Sequence, residues 1–397
     1  MTRSESVLLV AVTGWVTGFW WCSGRWEQTL WFSWILVPVL LWNVRPLLAL
    51  WMEWAEGWRS WWFLFWAVVE WQFWVTGFRG ESWWSAPGAG KDALMMMGLV
   101  SGLVLAGRHA EARYWLWRMV LVAATMAVLL SLIFFYSRIP LDGERFRLCW
   151  RGWPGFNAVT TGLLAGLGLM AGLDGRHRER SIKSLLHWAA LVVLGFGLAA
   201  SESRGALLAT AAGSAWWLLS HHREWRRLAW PLFGFSAYWF LVAFAPEESS
   251  GLVERGSSGR LEIYAAYLSG MSGWDWLIGQ GQVRQLPEEV LGWHVHHPHN
   301  AYLGQLSGYG LIGLGLLLAT LGSGFLRMRH TREASLLVFG LVATLFDGGM
   351  SFSLLAIARW EVLVVLVPLV LGVVAREPSI GRAEPEDSDR GRDLELR

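Results

Sequence analysis

The chain alternates between long apolar segments and short polar connections over most of its length. An apolar helix of about 20 residues crosses the ~30 Å hydrocarbon core of a bilayer. Segments that approach or exceed this length occupy 6–22, 28–52, 59–78, 92–107, 115–136, 156–174, 184–200, 205–220, 228–245, 302–326, 335–352 and 358–375. The residue alternation typical of a membrane barrel is absent. The pattern predicts an all-α polytopic membrane protein with about twelve transmembrane helices in one domain, residues 1–375.

Arginine is concentrated in the connections on one side of this predicted topology. These are Arg108, Arg113, Arg118, Arg176, Arg178, Arg180, Arg223, Arg226, Arg227, Arg327, Arg329 and Arg332, together with Lys183. Short loops rich in Lys and Arg remain in the cytoplasm. That side and both chain ends are therefore predicted to be cytoplasmic, and the polar tail 376–397 is predicted to be disordered there.

The two longest polar connections, 137–155 and 246–301, fall on the opposite, outer side of the membrane. The second lies between the predicted ninth and tenth helices. A transporter built from two related halves more naturally has its longest connection in the middle, and it needs charges inside its helices. Here Glu70 and Asp347 are the main charges within apolar segments. A flippase or other transporter is therefore the less favoured class.

The composition agrees with a membrane protein and limits the classes of partner that we expect. The mean hydropathy is +0.37, and the 31 tryptophans are typical of anchors at membrane interfaces, so membrane lipids are expected contacts. A net charge of +2 without a basic stripe predicts no nucleic-acid partner. Cys22 and Cys149 are too few for a zinc or iron–sulfur framework, although they could form a disulfide on the outer side. No cofactor is expected.

Arginines on the outer side need a separate explanation, because arginine is otherwise enriched in the cytoplasmic connections. The loop 137–155 carries Arg138, Arg145, Arg147 and Arg151, which are either solvated or form a cationic surface for an anionic headgroup or a diphosphate. Arg204, in "SESRGALLAT", lies at the hydrocarbon boundary, where a charge is costly unless it meets an anion, a cavity or water. Arg260 begins a predicted amphipathic helix, where the helix dipole disfavours a cation.

Four histidines, His294, His296, His297 and His299, lie within six positions just before the apolar segment at 302. They lack the H-x-x-x-H spacing and the cysteines of common zinc sites, so a metal site is the less favoured interpretation. Most of the four could simply be hydrogen-bonded to the backbone. Imidazole also accepts protons near neutral pH, as a general base must. His299 is the preferred base, since we expect the following helix to fix its position.

Four segments in order resemble the motifs of the bacterial O-antigen ligase and polymerase superfamily. "SESRGALLA" is similar to its Ser-x-Ser-Arg-Gly segment, and "GRLEIYAAYL" is similar to its Gly-Arg segment before an outer helix. "WLIGQGQ" resembles its Gly-x-Gly turn, and "HPHNAYLGQLSGYGLIGLGLLL" resembles its His-Asn-x-x-Leu signature with a Gly-x-x-Gly helix. The resemblance covers about 150–326.

The resemblance implies a metal-independent membrane glycosyltransferase with a glycan on polyprenyl diphosphate as its donor. Arg204 and Arg260 match the family arginines that hold the diphosphate, and His299 matches the histidine that activates the acceptor hydroxyl for an inverting attack. Asn300, Tyr302 and His297 are further candidate contacts with the substrates, together with Arg145, Arg147 and Arg151 of the loop 137–155.

The shared motifs leave three acceptors open. A ligase transfers the glycan to the lipid A core oligosaccharide, a polymerase transfers it to a growing glycan, and a protein oligosaccharyltransferase transfers it to a hydroxyl side chain. The chain is compact, at 397 residues, without a large C-terminal outer domain, which disfavours the third. O-antigen ligase is the preferred prediction, with an O-antigen or exopolysaccharide polymerase as its alternative.

Overall fold

The computed structural model describes residues 1–22, 25–56, 61–79, 85–136, 158–173, 182–221, 259–281, 295, 297–346 and 359–376. The regular elements in these ranges are helices, which confirms the predicted all-α class. They are α1 (Arg3–Trp21), α2 (Arg25–Trp31), α3 (Val37–Trp42), α4 (Val44–Glu56), α5 (Trp61–Arg79), α6 (Ser85–Gly107), α7 (Ala110–Tyr136), α8 (Ala158–Gly172), α9 (Ile182–Ala200), α10 (Arg204–His221), α11 (Arg260–Ser269), α12 (Asp275–Ile278), α13 (Ala301–Met328), α14 (Arg332–Phe346) and α15 (Val367–Val374). Stretches with π-helical hydrogen bonding, Phe32–Leu36 and Val362–Leu366, lead into α3 and α15.

Four helical stretches in these ranges are long and apolar enough to cross a membrane, namely Gly90–Gly107, Ala110–Ile133, Ile182–Ala200 and Ala301–Met328. A bent pair, Trp26–Trp42 with Val44–Trp54, would make a fifth. Ala158–Gly172 and Val362–Val374 are shorter apolar helices. The predicted total of twelve remains a prediction, and the predicted segment 228–245 lies outside the described residues.

The predicted span 28–52 is bent, because the chain turns by 83° between Trp42 and Val44. Asn43 has non-helical backbone angles there. Pro46 follows three residues later, and a proline lacks the N–H that would continue the hydrogen bonding of the preceding turn. The Asn43 side chain instead donates to the Val39 carbonyl at 2.9 Å.

Polar contacts gather several helix ends at one end of the bundle. The Glu5 carboxylate of α1 lies 3.6 Å from the His109 ring, before α7. The Arg108 guanidinium lies 3.1 Å from the Glu53 carboxylate of α4. The Arg113 guanidinium of α7 lies 3.9 Å from the Glu333 carboxylate of α14. We call this end, which holds Arg108, Arg113 and Arg332, the arginine-rich end.

Helix α13 connects this end to the opposite one. Its last residue, Met328, is followed closely by Arg332, whereas the Tyr302 hydroxyl in its first turn reaches Leu341, nine residues farther along α14. His299 immediately precedes that start. We call this opposite end, marked by His297 and His299, the histidine end.

Candidate functional site

Two contacts with α14 place the starts of α10 and α13 at the histidine end. The Tyr302 hydroxyl, in the first turn of α13, donates to the Leu341 carbonyl of α14 at 3.1 Å. Gly205, in the first turn of α10, packs on the Cβ atom of Phe346 at the end of α14. The last turns of α14 therefore lie next to both the start of α10, where Arg204 is, and the start of α13.

The segment "SESRG" forms a tight turn between α9 and α10. The Ser201 hydroxyl donates to the last turn of α9 at 2.7 Å and accepts from the backbone of Ser203 at 3.3 Å. Ser203 in turn accepts from the third backbone N–H that follows it, at 3.3 Å, and so caps α10. Glu202 adopts a left-handed φ of 47°. A Cβ added to Gly205 would lie 2.7 Å from Phe346. The motif thus shapes the turn that presents Arg204.

Arg204 and Arg260 share a position, since each is the first residue of a helix. The structure confirms the predicted helix at Arg260, whose N-cap is Gly259 with φ of 72° and no side-chain cap. The Nη1 atom of Arg204 is buried. A helix start carries partial positive charge and free N–H groups, so an arginine there adds to an anion-attracting field.

Helix α11 packs directly on the start of α13. Ile263 and Tyr267 are buried against Val295, and Leu303 of α13 packs on the same cluster. The charge of Arg260 acts on Tyr264, and the Asn300 side chain lies beside that tyrosine. The structure therefore brings Arg260 and the residues around His299 into one site.

His299 lies just before the helix that was expected to fix it, which corrects one detail of the prediction. Helix α13 begins at Ala301, and Asn300 is its N-cap, accepting from the backbone of Tyr302 and Leu303 at 3.0 Å each. His299 has a left-handed φ of 52°, a conformation that costs a non-glycine residue about 1 kcal/mol or more. Such strain is typical of functional positions.

His297 supports His299. The two rings lie 4.1 Å apart between centroids, edge to face. The His299 backbone N–H donates to Nδ1 of His297 at 3.4 Å, which leaves Nδ1 without a proton. Asn300 and Tyr302, predicted as further substrate contacts, have structural roles as a helix cap and as an anchor to α14, respectively.

Tyr264 lies between Arg260 and Asn300 and was not among the predicted site residues. Burial raises the pKa of its hydroxyl, and the nearby Asn300 and Arg260 oppose that rise. The oxygen is buried, and within the described residues it has no hydrogen bond of ordinary geometry. A buried hydroxyl without such a bond is costly. Its position four residues after Arg260, one helical turn away, was the available signal.

The glycines of "WLIGQG" allow α12 and the residues that follow it to pack closely on a break in α13. We call this packing the glycine lock. Gly310, inside α13, has φ of 67° and ψ of −173°, and Gly279 and Gly281 each have φ of 82°. The N–H groups of Gln280 and Gly281 donate to the Ser307 and Gly308 carbonyls at 3.0 and 2.9 Å. Backbone therefore pairs with backbone where the helix opens, as an apolar environment requires.

Helix α5 completes the glycine lock. Arg79, its last residue, lies 2.6 Å from both the Asp275 carboxylate and the Gly279 carbonyl. Burial acts to raise the pKa of Asp275, but hydrogen bonds from the Ser272 backbone and from Arg79 outweigh it and lower the pKa. The Trp71 indole N–H donates to the Tyr309 carbonyl at 2.9 Å. Helix α12, which follows the helix that carries Arg260, is thereby held against α13.

We expect Gly310→Ala to lower the free energy of unfolding by about 1–3 kcal/mol, because a side chain at this φ is strained. A Cβ there would also overlap the Leu277 carbonyl. Thermal unfolding of the purified chain measures the change. Gly315→Ala is the matched control, since it lies on the same helix with nothing within 4 Å of its added Cβ. Equal melting temperatures for the two variants would contradict this interpretation of the glycine lock.

Several predicted residues lie outside the described ranges. They are Arg145, Arg147, Arg151, His294, His296 and Cys149. Their proposed roles, and the pairing of Cys149 with Cys22, remain predictions. Within the described ranges, no three His, Cys, Asp or Glu side chains are grouped as metal ligands would be.

Comparison with known families identifies the segment that carries the site. A family model described as O-antigen ligase matches residues 189–318, from α9 into α13. This segment includes Arg204, Arg260 and His299. No curated protein sequence matches the chain. The match shows that this segment is similar to the O-antigen ligase family, and the apolar helices are those expected of a multi-pass membrane protein.

Proposed function

We propose that this protein is an O-antigen ligase, which transfers a glycan from a polyprenyl diphosphate carrier to the lipid A core oligosaccharide. The observation that carries the proposal is the meeting of Arg260, Tyr264 and the segment from His297 to Asn300 at the histidine end. Arg204 approaches the same end along α14. This site contains what transfer from a phosphate-linked donor requires, namely cations for the leaving group and one base.

The arginines serve the donor. In the transfer, the bond between the glycan C1 and the diphosphate oxygen breaks, and the electron pair stays on that oxygen. Arg204 and Arg260 offer forked N–H donors to the diphosphate and stabilise the negative charge as it grows. The N-terminal N–H groups of α10 and α11 add to this field. A diphosphate is already a good leaving group, so cations and orientation suffice.

His299 serves the acceptor. Its imidazole takes the proton from an acceptor hydroxyl while the hydroxyl oxygen forms a bond to C1. Attack on the face opposite the leaving diphosphate inverts the configuration at C1. The His297 ring holds the backbone and ring of His299 in place, so the base is oriented before the substrates arrive.

We place the site on the periplasmic side of the bacterial inner membrane, with the arginine-rich end and both termini in the cytoplasm. The arginine distribution supports this orientation. A carrier-linked donor in the outer leaflet and a core oligosaccharide on the same surface could then both reach His299.

Tyr264 is the residue that we assign to donor positioning, through a hydrogen bond from its hydroxyl to the phosphate or first sugar. Tyr264→Phe should lower the rate at limiting donor by about tenfold, a loss of roughly 1.4 kcal/mol. The free energy of unfolding should stay equal or rise, because a buried hydroxyl without a well-formed hydrogen bond is removed. Initial rates against donor concentration and a thermal melt measure both effects.

Tyr302→Phe is the control for Tyr264→Phe. It removes the hydroxyl that donates to the Leu341 carbonyl at 3.1 Å. This loss should lower stability by about 1 kcal/mol. If Tyr264→Phe lowered stability in the same way and left the rate unchanged, Tyr264 would have only a structural role.

Deletion of the gene in the source organism tests ligase against polymerase. Lipopolysaccharide and carrier-linked glycan from the deletion strain are compared on gels with those from the same strain after the wild-type gene is restored. For a ligase, long chains persist on the carrier and disappear from lipid A. A core that carries a single repeat unit would identify a polymerase instead. If both pools were unchanged, neither activity would be supported.

A further inference from the structure

A groove at the arginine-rich end is separate from the site described above. It is a cavity of about 280 Å³ between α7, α9 and the start of α14. Three cationic side chains, Arg118, Lys183 and Arg332, line it together with His187 and Tyr114. Among the described residues that line it, none is acidic. The groove therefore has a formal charge of +3 before any protonation of His187.

Neighbouring groups hold Arg118 and Arg332 in place at the groove. The Arg118 Nη1 donates to the Tyr114 hydroxyl at 2.8 Å, and its guanidinium carbon lies 5.8 Å from the Trp115 ring centroid. Arg332 donates to the Ala171 carbonyl of α8. The nearby carboxylate of Glu333 is directed to Arg113 instead, at 3.9 Å.

The groove opens toward the hydrocarbon. Its other walls are apolar and include Val122 and Met126 of α7 and Leu186 of α9, all of which are exposed on the protein surface. Only 17% of the Ile182–Ala200 stretch is buried inside the protein, so α9 lies at the periphery of the bundle. The cations thus lie at the end of an exposed apolar surface of α7 and α9 on which an acyl chain can pack.

We propose that this groove binds one anionic phospholipid, with its phosphate among Arg118, Lys183 and Arg332. Its acyl chains lie along the exposed faces of α7 and α9. Basic pockets between transmembrane helices on the cytoplasmic side are suited to anionic headgroups. The apolar walls favour a phospholipid over free phosphate, because a soluble anion makes no use of them.

Native mass spectrometry of the full chain tests the proposal by counting bound lipid during titration. Phosphatidylglycerol and phosphatidylcholine with the same acyl chains are compared. Wild type should bind one phosphatidylglycerol in preference to phosphatidylcholine. The double variant Arg118→Gln/Lys183→Gln should bind it at least about tenfold more weakly, because each cation near an anionic headgroup contributes to its affinity.

The control variant is Lys91→Gln/Arg329→Gln, which removes the same charge from two exposed positions that do not line the groove. It should bind phosphatidylglycerol as wild type does, and both double variants should keep the wild-type melting temperature in detergent. Equal losses in the two double variants would overturn the site, as would equal binding of the two lipids by wild type. If excess inorganic phosphate displaced phosphatidylglycerol, the site would belong to a free anion.

Discussion

His299→Ala should lower glycan transfer at least about 10²-fold, the usual contribution of a positioned general base. Without that imidazole the acceptor hydroxyl loses its base, because the neighbouring His297 accepts the His299 backbone N–H through Nδ1. The measurement is a lipopolysaccharide gel from a deletion strain that expresses the variant at wild-type level in the membrane. The variant should leave the lipid A core uncapped while carrier-linked glycan accumulates.

His299→Asn separates chemistry from backbone strain. Asparagine tolerates the left-handed conformation that His299 adopts at φ of 52°, but it cannot act as a base near neutral pH. We therefore expect His299→Asn to be as inactive as His299→Ala. His330→Ala, at an exposed position of the arginine-rich end, should be fully active. Normal transfer by His299→Asn would refute the assignment of the base.

Arg204→Ala and Arg260→Ala should each lower the transfer rate by about 10²–10³-fold, the range found when a donor to a developing negative charge is removed. Both residues begin helices at the histidine end, and α11 holds Arg260 one turn from Tyr264. Initial rates of the purified chain against donor concentration measure the loss. A fall in both kcat and kcat/KM would mean that the lost interaction is strongest in the transition state.

Lysine variants refine this test. Arg204→Lys and Arg260→Lys keep the charge but lose the forked donors, so they should recover only part of the rate. Arg329→Ala, an exposed arginine at the opposite end, is the matched control and should transfer at the wild-type rate. Wild-type donor use in both alanine variants at the histidine end would exclude the diphosphate role.

Local signals in the sequence were sufficient to predict most of the helices near the site. The apolar segment 302–326 corresponds to α13 at Ala301–Met328, and the helix predicted to begin at Arg260 is α11. These agree because apolar length and glycine before a helix start depend only on neighbouring residues. Asn300 was predicted only as a substrate contact, although its place just before an apolar segment is the usual position of a helix cap.

The remaining features depend on contacts between distant parts of the chain. Gly279 and Gly310 are 31 positions apart, and only the folded chain shows that the backbone around each packs on the other. The environment of Tyr264 likewise depends on Asn300, from a different element. Pro46 is different, since its local effect could have predicted the bend at Asn43 from the sequence.

The most direct test of the central claim is transfer by the full-length protein in liposomes supplied with polyprenyl-diphosphate-linked glycan and lipid A core. We predict that wild type moves the glycan onto the core, with release of polyprenyl diphosphate and inversion at C1. His299→Asn should form almost no product under the same conditions. Failure of wild type to form glycosylated core from an intact donor, or equal product from His299→Asn, would contradict glycosyl transfer at this site.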